Sequence, residues 1–162
     1  MSRISKHNYY LDIAQTVAER ATCMRKKYGS IIVKNDVIVS TGYNGSPRGR
    51  KNCTDLNFCM RDKLNIPRGE RYELCRSVHS EQNAIIAAPR EQMLGATLYM
   101  ACVDPADGSV VSGVNSCMMC KRVVINAGIT TVIIRDDKEN YRVIDVQSWI
   151  DDDDSLSGQF GY

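Results

Sequence analysis

A strand, a helix and a second strand follow one another between residues 96 and 135, and this order limits the fold more than any other feature of the chain. "ATLYMACV" and "ITTVIIR" are rich in residues that suit a pleated surface. Between them "VNSCMMCKRVVINAG" is amphipathic, with Gly128 placed to stop a helix. Such a succession forms a right-handed parallel crossover. Upstream, "SIIVKNDVIVSTGYNG" holds two β-branched runs around Asn35-Asp36, which predicts an antiparallel hairpin whose second strand ends between Gly42 and Gly45. Tyr10, Ile13, Ala14, Val17, Ala18 and Ala21 recur at three- and four-residue steps, so a first helix is expected from Tyr9 to Ala21. Together these segments predict an α/β sandwich with a mixed sheet, the hairpin strands lying beside parallel ones.

A length of 162 residues fits one domain, placed at residues 1–150. The last stretch, residues 151–162, reads "DDDDSLSGQFGY" and is expected to be an acidic, solvated and flexible tail without a catalytic role, although Phe160 and Tyr162 could dock. Hydrophobic residues at 43% and charged residues at 25% are ordinary for a soluble globular protein. A net charge of +2 gives little support to a phosphate-tracking groove, so nucleic acid is disfavoured as a partner and a small substrate is easier to defend. No apolar run approaches membrane-spanning length, and "MSRISKHNYYLD" lacks the apolar core of a secretory signal; the expected location is the cytoplasm, with no membrane partner. In that reducing compartment seven cysteines, an odd number, read as thiols or metal ligands rather than as a disulfide framework.

The chemistry concentrates at two helix starts. Cys117 and Cys120 stand three apart where a helix begins, so both sulfurs can project from one face, and the positive end of the helix favours their thiolates. In "LCRSVHSEQNAII" one of only two histidines precedes a helix expected to turn Ile85 and Ile86 to the core and to stop before Pro89. If the two starts face each other, His79, Cys117 and Cys120 supply one nitrogen and two sulfurs, leaving tetrahedral zinc an open position for water. Three protein ligands and a water define a catalytic kind of site, and Glu81 is the candidate to move protons. Two steps along a helix turn side chains by roughly 200°, so His79 and Glu81 converge only if His79 sits outside the first helical turn. Taken alone, each motif has a plainer reading: a His before a helix is usually a cap, and a Cys-x-x-Cys pair is often buried thiols or a redox dithiol.

With "CRSVHSEQNAII" and "SCMMCKRVVINAGI" in view, together with "TCMRKKYGSIIV", "STGYNGSPRG", "GERYELC" and "GATLY", the chain resembles the deoxycytidylate deaminase family of the zinc-dependent cytidine deaminase superfamily over roughly Tyr9 to Arg135. The resemblance implies a three-layer α-β-α sandwich around a roughly five-stranded mixed sheet. It implies zinc bound by His79, Cys117 and Cys120, and Glu81 as the catalytic residue that protonates N3 of cytosine and then carries a proton to departing ammonia. The reaction would be dCMP plus water giving dUMP plus ammonia, feeding thymidylate synthesis. Asn44 in "GYNG" is similar to the family's substrate-contacting asparagine, its plainer reading being a turn residue. Arg25 in "TCMRKK" is a candidate phosphate contact, or else a solvated cation. A homo-oligomer, a hexamer in this family, is implied, as is regulation by dCTP and dTTP with Mg2+ accompanying the nucleotide.

Three departures from the family stand out. Ser80 replaces the usual alanine, and Ser116 replaces the proline before the first cysteine, where its hydroxyl is expected to cap the helix. "VDPADGSVVSGVN" at residues 103–115 is a hairpin-like insertion able to reshape the pocket and hence the substrate. Residues 46–76 form a segment unusually long for an unconstrained loop, so something must fasten it. A second, structural zinc held by Cys23, Cys53, Cys59 and Cys75 is the expected device. Competing functions are a zinc deaminase acting on another nucleotide, a base or tRNA adenosine; a non-enzymatic zinc-stapled assembly or competence-related protein; and a redox Cys-x-x-Cys protein.

Overall fold

Asn35 and Asp36 both adopt the left-handed region, with φ of 50° and 63°, the pair of conformations that a two-residue reversal between twisted strands requires. They join β1 (Lys27–Lys34) to β2 (Val37–Tyr43) as an antiparallel hairpin in which Lys34 faces Val37. The computed structural model describes residues 2–158, so Phe160 and Tyr162 lie outside the described residues. β1 also pairs antiparallel with β3 (Thr97–Val103), β3 runs parallel to β4 (Thr131–Arg135), and β4 pairs antiparallel with β5 (Tyr141–Asp145). The sheet order is β2-β1-β3-β4-β5, mixed and five-stranded as expected.

Alternation along the central strands sends side chains to two buried faces. Ile31, Val33, Tyr99, Ala101 and Ile133 meet Tyr10, Leu11 and Ala14 of α1 (Lys6–Ala18) on one face. Ile32, Leu98, Met100, Val132 and Ile134 meet the other layer through Ala84, Val124, Ala127 and Val146. Those four come from α4 (Ser80–Ile86), α6 (Met118–Ala127) and α7 (Val146–Asp151), with α5 (Arg90–Met93) beside them. Three layers result. Among the described residues no helix is long and apolar enough to cross a membrane.

Several expectations are corrected. α1 begins at Lys6 because Ser5 caps it, its hydroxyl accepting from the Asn8 amide at 3.2 Å, and it ends at Ala18 rather than Ala21. Ile86 is 76% exposed. The buried residues of α4 are Ser80, Glu81 and Ala84, and the two-residue step from Ala84 turns Ile86 away. β5 and α7 were not foreseen: β5 is a partly exposed edge strand, and α7 has a single buried residue, Val146. The insertion does form a hairpin-like excursion, with Val110 bridging back to Val103 and the Val111 amide donating to the Cys102 carbonyl. Beyond it, Asp154 in the tail region accepts from Lys121 at 2.7 Å.

The long segment is fastened by arginines. It contains α2 (Cys53–Leu56), α3 (Met60–Lys63) and a 3-10 turn at Tyr72–Leu74. Arg61, 5% exposed, donates to the carbonyls of Pro67 and Glu70 at 2.8 and 2.7 Å, and its guanidinium lies 4.4 Å from the centre of the Tyr72 ring. Arg76 donates to the Lys51 carbonyl at 2.9 Å, and Gly45 and Val78 exchange backbone hydrogen bonds. Loop carbonyls thus find their donors in side chains.

The layer that carries α4 is tied closely to the hairpin. Ser40 on β2 donates to the Ala84 carbonyl at 2.7 Å, and at Gly42 the helix backbone approaches so closely that a Cβ would stand 2.3 Å from the Ala84 nitrogen and 2.5 Å from the Ser80 carbonyl oxygen. Gly42→Ala must therefore push α4 outward. Overpacking of this kind costs about 1–3 kcal/mol or more, so a thermal scan is expected to show a melting temperature lower by roughly 5–10 °C. An unchanged melting temperature would contradict the close contact.

Candidate metal centre and substrate pocket

His79 is the N-cap of α4, with extended backbone (φ −73°, ψ 158°), so it stands outside the helical turn that begins at Ser80. Gln82 holds it there by accepting from the His79 amide at 2.9 Å, half of a capping box. Cys117 is the N-cap of α6, and its Sγ accepts from the Cys120 amide at 3.4 Å. Gly128, at φ 83°, ends the same helix in the left-handed conformation expected of it. The two helix starts meet. His79 Nδ1 lies 3.5 Å from Cys117 Sγ and 3.3 Å from Cys120 Sγ, and the three ligand atoms all fall within 4.8 Å of one another.

This donor set fits zinc. Zn–S near 2.3 Å and Zn–N near 2.0–2.1 Å put sulfur and nitrogen about 3.5 Å apart on a tetrahedron, which is the separation seen. Without an ion the cluster shares protons. The Cys117 thiol is lowered to about 4 by a hydrogen bond from Cys120 and by the His79 imidazole, against burial. Cys120 is pushed strongly upward by its bond to Cys117, by burial and by the charge of Glu81. Burial would lower His79, but hydrogen bonds with Cys117 and Cys75 and the charges of Glu81 and Cys117 win, raising it to about 11.

Glu81, one residue into the helix and 4% exposed, accepts from Ser80 Oγ at 3.0 Å and lies beside Cys120. It is not among the three clustered ligands. A pocket opens onto these groups and is also lined by Arg25, Lys26, Asn44, Arg68 and Tyr72. Arg25 is half-exposed, its Nη1 3.2 Å from Asp62. Burial, with the neighbouring charges of Arg68 and Arg25, holds the Lys26 ammonium below its ordinary value. Asn44 is buried, and its amide serves the backbone: Oδ1 accepts from the Tyr28 amide at 2.8 Å and Nδ2 donates to the Lys26 carbonyl at 3.0 Å. It pins the start of β1 at the pocket wall.

The four cysteines expected to hold a structural ion are not brought within ligand distance of one another. Among the described residues the one group of three or more His, Cys, Asp or Glu ligand atoms within that distance is His79, Cys117 and Cys120. Cys53 is buried in α2, 4.0 Å from Arg76, while Cys23, Cys59 and Cys75 line the pocket. Cys23 Sγ accepts from the Arg25 amide and Cys75 Sγ from the Ser77 amide, each at 3.4 Å. The arginine contacts already fasten the loop. Ser116 does not cap α6 either; its hydroxyl is buried without a hydrogen-bond partner among the described residues, and the neighbouring thiol does the capping. Tyr72, edge-on to the His79 ring at 5.5 Å, is a pocket residue that sequence reasoning passed over, while Cys75, read there as a ligand of a second ion, lines the pocket beside the same imidazole. The "GERYELC" likeness was the available signal for Tyr72.

An N,S,S donor cluster with a buried carboxylate at its side, set between two helix starts on a mixed sheet, fits the class of metal-dependent hydrolytic sites. The chain belongs to the family described as "Cytidine and deoxycytidylate deaminase zinc-binding region", whose sequence pattern matches residues 4–135. Over 138 residues it is 33% identical to the deoxycytidylate deaminase of Mycobacterium phage D29, covering 82% of this chain and 96% of that one. Identity to the Schizosaccharomyces pombe deoxycytidylate deaminase is 28% over 81% of this chain, which spans only 37% of that protein's length. The crystal structure of dCMP deaminase from cyanophage S-TIM5 in apo form has the same fold, with a TM-score of 0.57, 25% identity and coverage of 84% of this chain and 86% of that one.

Because His79 and Cys120 hold protons that a cation must displace, zinc affinity is expected to rise with pH. Competition against a chromogenic chelator, corrected for the chelator's own protonation, should show binding tighter by on the order of tenfold or more at pH 8 than at pH 6. Affinity independent of pH would contradict this protonation pattern.

Proposed function

We propose that this chain hydrolyses dCMP to dUMP and ammonia, supplying dUMP for thymidylate synthesis, with zinc held by His79, Cys117 and Cys120. The observation that carries the reading is the convergence of those three ligand atoms next to a buried carboxylate, at the end of a pocket that several cations line. Bound zinc would supply the Lewis acidity that makes hydroxide available from water near neutral pH.

The chain's own residues do the rest. Glu81 takes the proton that water gives up as its oxygen bonds to C4 and delivers it to N3 of the cytosine ring. It then passes a second proton to the exocyclic nitrogen as the C4–N bond breaks and ammonia leaves, so water's two hydrogens and its oxygen are all accounted for. Burial of Glu81 keeps bulk water from competing for those protons. Arg25, Lys26 and Arg68 gather positive charge along the pocket, which suits the phosphate of a nucleotide over an uncharged nucleoside. An anion there would offset the burial and the neighbouring positive charges that depress Lys26. Asn44 contributes by holding the pocket wall, with one Nδ2 hydrogen and one Oδ1 lone pair left for a sugar hydroxyl.

Glu81→Gln is expected to lower kcat on dCMP by about 10²- to 10⁴-fold while zinc content stays at the wild-type level. Full activity in that variant would remove Glu81 from the mechanism. Steady-state assays with dCMP, CMP, dCTP and deoxycytidine should favour dCMP, and Arg25→Ala should raise KM for dCMP more than for deoxycytidine. Equal effects on both substrates would place Arg25 outside the phosphate subsite. The same assay with dCTP or dTTP and Mg2+ as effectors reads out any regulation.

A further inference from the structure

Ser80 stands where the resemblance leads one to expect alanine, and the mechanism above leaves its hydroxyl unused. The side chain is fully buried, as is that of Ser30 on β1, and the two hydroxyls lie 2.8 Å apart. Ser80 Oγ in turn donates to Glu81 Oε1 at 3.0 Å. An ionised carboxylate can only accept, so the single Ser80 proton goes to Glu81 and the proton between the hydroxyls comes from Ser30. A line of hydrogen bonds therefore runs from the interior of the sheet to one oxygen of the acid.

We propose that Ser80 is a positioning residue for Glu81, fixing one carboxylate oxygen through a hydroxyl pair anchored on β1 and leaving the other oxygen to handle protons. The inference rests on the deaminase reading. A glutamate has several rotatable bonds, and a proton carrier that must serve two atoms of one substrate in turn loses rate when its carboxyl group wanders. Ser30 sits in the middle of a strand paired on both sides, so it is a fixed point. Burying two hydroxyls where alanines would fit is costly unless each finds a partner, and here each is satisfied by the next group in the line.

The test compares wild type with Ser80→Ala, Ser30→Ala and the double variant, all zinc-loaded. In Ser80→Ala, kcat on dCMP is expected to fall about tenfold, the loss typical of one hydrogen bond to a charged group, with KM changed less than about twofold and zinc content unaltered. Ser30→Ala should fall in the same direction, and the double variant should be no worse than Ser80→Ala, because both act through one hydrogen bond. A crystal structure of zinc-free Ser80→Ala should show the Glu81 carboxyl displaced from its wild-type place. Unchanged kcat, additive losses, a proportional rise in KM, loss of zinc, or an unmoved Glu81 would each overturn the proposal. If wild type fails to deaminate dCMP, the functional reading falls instead, and the position of Glu81 in the variant structure still decides the role of Ser80.

Discussion

The site depends on one junction: the start of α4 abuts the start of α6, and Nδ1 of His79 lies within 3.5 Å of the sulfurs of both Cys117 and Cys120. Neither helix makes this contact alone. α6 arrives by the crossover that brings β4 parallel to β3, and α4 is pressed onto the β1–β2 hairpin by Ser40, Ser30 and the bare backbone of Gly42. The sheet thus fixes the distance between two N-caps that are 38 residues apart in the chain.

Placing the ligands at caps rather than within helices has chemical consequences. An N-cap residue has extended backbone, so His79 can face sideways toward the sulfurs while Glu81, a turn-half later, is buried against the same cluster. The Cys117 thiolate does double service, capping α6 through the Cys120 amide and offering a charge to a cation. Helix geometry and metal chemistry ask for the same conformation here.

Much of this was legible in the residues. Runs of β-branched and apolar residues marked the hairpin and the crossover strands, and the His-x-Glu and Cys-x-x-Cys pairs marked the site, because local chemistry at a helix start needs only neighbouring positions. Contacts that join distant segments were not legible. Arg61 looks like a solvated charge in sequence, yet it is buried under Tyr72 and satisfies two loop carbonyls, taking the fastening role that a cysteine-bound ion was expected to play. The hydroxyl pair of Ser30 and Ser80 spans 50 residues, so no local pattern could have signalled it. β5 and α7 escaped notice because edge elements bury too little to impose a period.

The central claim is that an imidazole and two thiolates hold an ion with a coordination position left for solvent, even though a third thiol, Cys75, lines the pocket beside the same imidazole. X-ray absorption at the zinc edge of the wild-type protein tests it most directly. The account predicts two sulfur scatterers near 2.3 Å and two lighter ones near 2.0–2.1 Å, one from His79 and one from solvent. A third sulfur in the coordination shell would close the site and contradict it.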